Sequence, residues 1–171
     1  MRPIASILAA IDRISLLAGR LVAVLVPAMV LVLGYEVLAR YLFNAPTIWA
    51  HDLSILFFAY AGLLAGAYAH AERRHITVDV VYVRLGVRQR ATLDALTGLL
   101  VFLFAGLVFV YGWEETAEAI RLGARMSTEW APPRAYLVAV IPVSAGLLLL
   151  QQLANWIRSL HVAFTGRELE P

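Results

Sequence analysis

Residues 36–79 read EVLARYLFNAPTIWAHDLSILFFAYAGLLAGAYAHAERRHITVD, and the reading of this stretch decides the fold. An apolar run ends in Glu36 and Arg40, one helical turn apart. A short link with Asn44, Pro46 and Trp49 follows. A second apolar run opens on Asp52, carries a stripe of small residues, and empties into a loop bearing Arg73, His75 and Asp79. Polar side chains inside or beside membrane helices are expensive, so each needs a physical reason.

Composition points the same way. The chain is 61% hydrophobic with a mean hydropathy of +0.77, where soluble domains are ~45–50% apolar. Several apolar runs approach the ~20 residues that cross a bilayer. We expect an all-α integral membrane protein, residues 1–171 forming one domain. A net charge of +2 argues against nucleic acid as a partner. The absence of Cys excludes disulfides, iron–sulfur clusters, thiol catalysis and Cys-based zinc sites. The first long apolar run starts near Leu21, too far from Met1 and too long for a signal sequence, so no cleavable signal peptide is expected.

Outward from the opening stretch, residues 3–18 place Ile4, Ile7, Leu8, Ile11 and Ile14 at helical spacing, which predicts an amphipathic helix in the interface. Four spans are expected, over residues 21–39, 48–70, 96–113 and 135–157. Pro27 and Pro142 are expected to kink the first and the last. Glu36 and Arg40 share a helical face; a local ion pair and a contact to a partner helix or lipid headgroup both fit. Trp49 reads as an interface anchor. Asp52 complements the positive end of the second helix. Ala59, Gly62, Gly66 and Ala69 fall on one stripe, with Gly62 and Gly66 in GxxxG spacing, and small residues permit close helix packing. The stripe leaves open whether the neighbour belongs to this chain. After the third span, Glu114, Glu118, Arg121, Arg125 and Glu129 continue at helical spacing up to Trp130. They read as a solvated helix or as a docking surface. Arg residues concentrate in the N-terminal segment, the second loop and the C-terminal tail, so both termini are expected to be cytoplasmic.

Catalytic chemistry has little to stand on here. His51 and His70 are separated by ~28 Å of helix rise, and no HExxH, GxSxG or phosphate-loop motif is present. No cofactor or metal is expected, and the chain reads as a non-catalytic interaction subunit. The alternative is a haem- or quinone-linked membrane anchor of a redox enzyme, which needs His70, His75 and His161 to converge.

The ordered pattern Glu36-x-x-x-Arg40-Tyr41-x-Phe43-Asn44-x-Pro46, Trp49-x-x-Asp52, Gly66-Ala67 and His75-Ile76-x-Val78-Asp79 resembles the small membrane subunit of TRAP transporters, the DctQ-type family. Ser127 before the Pro pair, Tyr136 and Ile141-Pro142-Val143 add to the likeness. The chain departs from the family at His51, where an acidic residue is usual, and in the Arg that usually follows the Gly-Ala pair. The resemblance implies a tripartite, sodium-coupled transporter for an organic acid in the bacterial inner membrane. Its partners would be a large DctM-type membrane subunit, a periplasmic DctP-type substrate-binding protein and membrane lipid. It further implies that Gly62 and Gly66 pack helices closely. Glu36, Arg40, Trp49 and Asp52 would fix the outer corner or touch the large subunit, Arg73, His75 and Asp79 would hold the cytoplasmic loop, and Glu114, Glu118, Arg121 and Arg125 would dock the binding protein.

Overall fold

The computed structural model describes residues 2–71 and 86–165. Its long elements are α1 (Arg2–Leu42), α2 (Ala50–Ala71), α3 (Val87–Arg121), the short α4 (Arg134–Val138) and α5 (Val140–Thr165). Among the described residues, four helical stretches are long and apolar enough to cross a membrane, α4 and α5 together supplying the fourth. Successive spans run antiparallel. One end of the bundle gathers the start of α1, the end of α2, the start of α3 and the end of α5. The far end carries the 43–49 and 122–133 links.

The helix boundaries have local causes. α1 stops at Asn44, which takes φ 49° and lets the Ala45 N–H reach the Ala39 carbonyl at 2.9 Å. Asn tolerates this left-handed conformation better than most residues do. At the start of α3 the Gln89 side chain accepts the Gly86 N–H at 3.0 Å, meeting a backbone donor that the first helical turn leaves open. α3 closes in a Schellman turn. Gly123 takes φ 59°, its N–H donates to Ile120 O, and the Ala124 N–H donates to Ala119 O. Helical spacing through Glu129 was the expectation from sequence; the left-handed Gly123 overrides it, and residues 122–133 form a folded link instead. The last span is interrupted at Ala139, because Pro142 has no N–H to continue the ladder.

The expected interfacial helix over 3–18 is not a separate element. Residues 2–42 form one uninterrupted helix that continues through Pro27. A change in polarity near Arg20 does not break a backbone, and no proline or left-handed residue stands there. Leu8, Ser15 and Ala18 are buried against the rest of the bundle, so this segment packs along its neighbours. α3 and α5 also outrun the expected spans, most of all α3, whose start at Val87 takes in residues assigned to the loop.

In space the order is α1, α2, α5, α3. α1 packs on α2, and α3 packs on α5 along its length. A central knot of Ala18, Leu64 and Val140 joins α1, α2 and α5. The α3–α5 seam rests on small residues. Ala91, Gly98, Ala105, Gly112 and Ala119 recur every seven positions and all are buried. A seven-residue repeat keeps one narrow face toward the partner, and small side chains there bring two backbones together. Gly112 shows the closeness: a Cβ at that position would lie 2.7 Å from Ile141 Cγ2 and 3.1 Å from the Pro142 nitrogen.

Candidate functional site

Among the described residues, Glu36, Arg40, Asp52, Glu118 and Arg121 lie within a few turns of a helix end. At the far end, Glu36 sits one turn before the close of α1. Its Oε1 accepts from Arg40 Nε at 2.9 Å and also from the other arm of that guanidinium. Its Oε2 accepts the Thr47 backbone N–H at 3.0 Å and the Thr47 hydroxyl. Glu36 therefore closes the 43–49 link onto α1 through Thr47 while it pairs with Arg40. Trp49 stacks on Tyr35 across the same corner, ring centroids 5.9 Å apart.

Asp52 is fully enclosed, at 0% exposure. Its Oδ2 accepts from the Thr128 hydroxyl at 2.5 Å, and Thr128 Oγ1 in turn accepts the Ala131 N–H at 3.3 Å. Asp52 Oδ1 has no hydrogen-bond partner among the described residues. The Asp52–Thr128 bond ties the start of α2 to the 122–133 link. That link is itself ordered: Met126 N–H donates to Pro132 O and Arg134 N–H to Ala124 O, both at 2.9 Å. Ala131 holds φ 46°, a conformation uncommon outside glycine.

The docking candidates divide by this geometry. Arg121 donates to Glu118 through Nε and Nη2, at 2.9 and 2.7 Å, on an exposed face. Exposed pairs of this kind add under ~1 kcal/mol, so both side chains are free to exchange partners. Arg125 instead donates to the Ala131 carbonyl at 3.0 Å and so serves its own link. Glu115 pairs with Arg134 at 2.6 Å. Glu114 is exposed and makes no hydrogen bond or ion pair among the described residues.

The small-residue stripe on α2 also divides. Ala59 packs against the central knot. At Gly62 and Gly66 an added Cβ would meet nothing within 4 Å, so no helix among the described residues packs there. The glycines that close helix contacts inside the chain are Gly19 against Tyr68, Gly98 against Gln152 and Trp156, and Gly112 against Ile141 and Pro142.

Sequence reasoning missed a polar clasp at the end that gathers the start of α1 and the end of α5. Asp12 on α1 accepts from Arg158 of α5 at 2.6 Å and from Gln151 at 2.8 Å. The Ser15 hydroxyl donates to Gln151 Oε1 at 2.7 Å. His70 Nε2 meets Gln152 Oε1, Asn155 donates to the His70 carbonyl at 3.3 Å, and Trp156 donates to the Ala95 carbonyl at 3.0 Å. The other three spans are thereby hydrogen-bonded to residues 151–158 of α5. Ser15 and Gln151 are at most 1% exposed. Interhelical bonds in membranes contribute ~0.6 kcal/mol on average and up to ~1.7. Gln151→Leu cuts two of them, so the detergent-solubilised protein is expected to lose about 1 kcal/mol, read as a fall of a few degrees in thermal midpoint.

Arg73, His75 and Asp79 lie outside the described residues. With His75 there and the His70 ring bonded to Gln152, the described residues bring no three His, Asp or Glu side chains together as a metal site.

Known proteins share this pattern. The family model for the DctQ component of tripartite ATP-independent periplasmic transporters matches residues 29–162. The sialic acid TRAP transporter permease protein SiaT of Haemophilus influenzae is 26% identical over 119 residues, 68% of this chain and 18% of that protein. The sialic acid TRAP transporter small permease protein SiaQ of Vibrio cholerae is 27% identical over 111 residues, 62% of this chain and 63% of that protein. The chain thus spans less than two thirds of the length of either relative. The family match reaches into all four apolar spans, and on it the chain belongs to the DctQ-component family of tripartite ATP-independent periplasmic transporters, as a multi-pass membrane protein.

Proposed function

We propose that the chain is the non-catalytic small subunit of a sodium-coupled, binding-protein-dependent transporter for an organic acid. It sits in the bacterial inner membrane with both termini cytoplasmic, braces a large DctM-type subunit and helps to dock a periplasmic DctP-type binding protein. The observation that carries this reading is the family match over residues 29–162. The geometry supports it: Asp12, Ser15, Glu36, Asp52, Gln151 and Gln152 all fasten one segment of the chain to another, as a brace requires. The names of the two relatives favour a sugar acid of the sialic acid class as solute. The Arg distribution supports the orientation. On it the exposed Glu118–Arg121 pair faces the periplasm, where a soluble partner reaches it.

Purification of the tagged chain from its native host in mild detergent is expected to yield a colourless complex with a much larger polytopic protein. Uptake is expected to require sodium and a soluble binding protein. A chain that purifies with soluble redox subunits and a Soret band overturns the reading. Within it, Glu118→Arg with Arg121→Glu keeps the pair but swaps its poles. Uptake at limiting binding protein is expected to fall several-fold while the membrane complex survives; unchanged uptake removes this pair from the dock.

A further inference from the structure

We propose that the trough along α3, walled by α2 at its inner part and by α5 at its outer part, seats an apolar transmembrane helix of the larger permease component, with a basic side chain of that helix opposite Glu114. This rests on the subunit reading above and specifies the surface that it leaves open.

Two hollows lie one after the other along α3, with Phe104 and Val108 in the lining of both, and together they make the trough. The inner part, about 230 Å³, lies between Gly62 and Gly66 on α2 and Ala105 on α3, with Ser144 and Ala145 of α5 beneath. The outer part, about 750 Å³, runs past Tyr111 and Ile141 to the carboxylates of Glu114, Glu115 and Glu118. Its interior is apolar, and its charge is confined to the outer rim.

Three observations specify the occupant. The inner wall is bare backbone at Gly62 and Gly66, where a Cβ meets nothing within 4 Å. Such a wall admits a second helix backbone at close range, the geometry that drives helix association in lipid. At the rim, Glu115 is paired with Arg134 and Glu118 with Arg121, while Glu114 has no partner among the described residues. A carboxylate above an apolar floor is complemented by an Arg or Lys at the end of an apolar helix, and it repels an anionic lipid headgroup. Finally, the match covers only 18% of the Haemophilus influenzae relative. More than four fifths of that permease is continuous with the matched fold, so a large polypeptide lies beside it by covalent connection.

The test places a photo-crosslinking phenylalanine analogue at Leu63 or Phe104, in the trough, and at Leu31, on the exposed face of α1, in membranes that contain the assembled transporter. Adducts with the larger component from Leu63 and Phe104, and none from Leu31, support the proposal. Adducts with the larger component from Leu31 alone overturn the trough while the subunit reading stands. Lipid adducts alone from the trough positions overturn it in favour of acyl chains. Absence of any larger component from the purified complex overturns both readings. A second variant pair checks the contact without a probe. Gly62→Leu with Gly66→Leu meets open space in this chain, so the variant is expected to fold and to elute as the wild-type subunit does. Its co-purification with the larger component is expected to fall at least tenfold, and Glu114→Arg is expected to reduce it several-fold. Undiminished co-purification of the double-leucine variant overturns the proposal.

Discussion

Gly112→Leu is expected to leave little or no folded protein. The seam between α3 and α5 is set by backbone distance, and at Gly112 the obstacle to a side chain includes the Pro142 ring and its nitrogen, 3.0 and 3.1 Å from a Cβ. A flexible neighbour would swing aside, whereas a proline that already interrupts its own helix cannot. Overpacking a tight core costs ~1–3 kcal/mol and sometimes more, and here the whole α3–α5 contact must widen to make room. Gly106→Leu, six residues earlier on the same helix, meets nothing within 4 Å and serves as the control. Fluorescence-detected size exclusion in detergent separates the two. A monodisperse Gly112→Leu peak of normal height shows that the seam does not depend on close approach.

The second large effect is expected at Asp52. Asp52→Leu fills the same enclosed space but leaves the Thr128 hydroxyl without its acceptor, at a cost of ~1–3 kcal/mol. The helices keep their packing, so the loss falls on the 122–133 link. Hydrogen exchange at the Met126 and Arg134 amides, which close that link, is expected to speed up ~5- to 150-fold, since 1.4 kcal/mol is tenfold. Asp52→Asn keeps an acceptor for Thr128 and removes a buried charge, so its exchange is expected to stay near that of the native protein. Equal exchange in all three proteins shows that Thr128 does not anchor the link. Uptake at limiting binding protein then reports whether an ordered link matters to docking.

The spans were legible in the sequence because apolar length and turn chemistry act locally. α2 was placed to within two residues at its start, since Pro46 and Asp52 mark the boundary. The folded link after α3 was hidden by one glycine: Arg125 and Glu129 lie on the helical spacing of Glu118, yet Gly123 turns the chain left-handed before Arg125 or Glu129 is reached. The α3 seam was visible in principle. Its five small residues stand seven apart, and a search tuned to GxxxG spacing sees only Gly62 and Gly66. Those two are exposed, and no local pattern distinguishes a glycine that faces its own chain from one that faces another. Asp12 and Arg158 lie 146 residues apart, and Thr47 and Thr128 are ordinary hydroxyls. Such partners become recognisable only when the fold brings them together.

α1 carries a further consequence. Its 41 residues rise ~61 Å at 1.5 Å each, twice the ~30 Å of a hydrocarbon core. A lone helix of that length adjusts to the bilayer by tilting until the mismatch is relieved. α1 has no such freedom, because Asp12 is fastened to Arg158 near one end and Glu36 to the 43–49 link near the other. Its inclination is therefore set by the protein. In thinner or thicker bilayers the lipid, rather than the helix, has to deform around it.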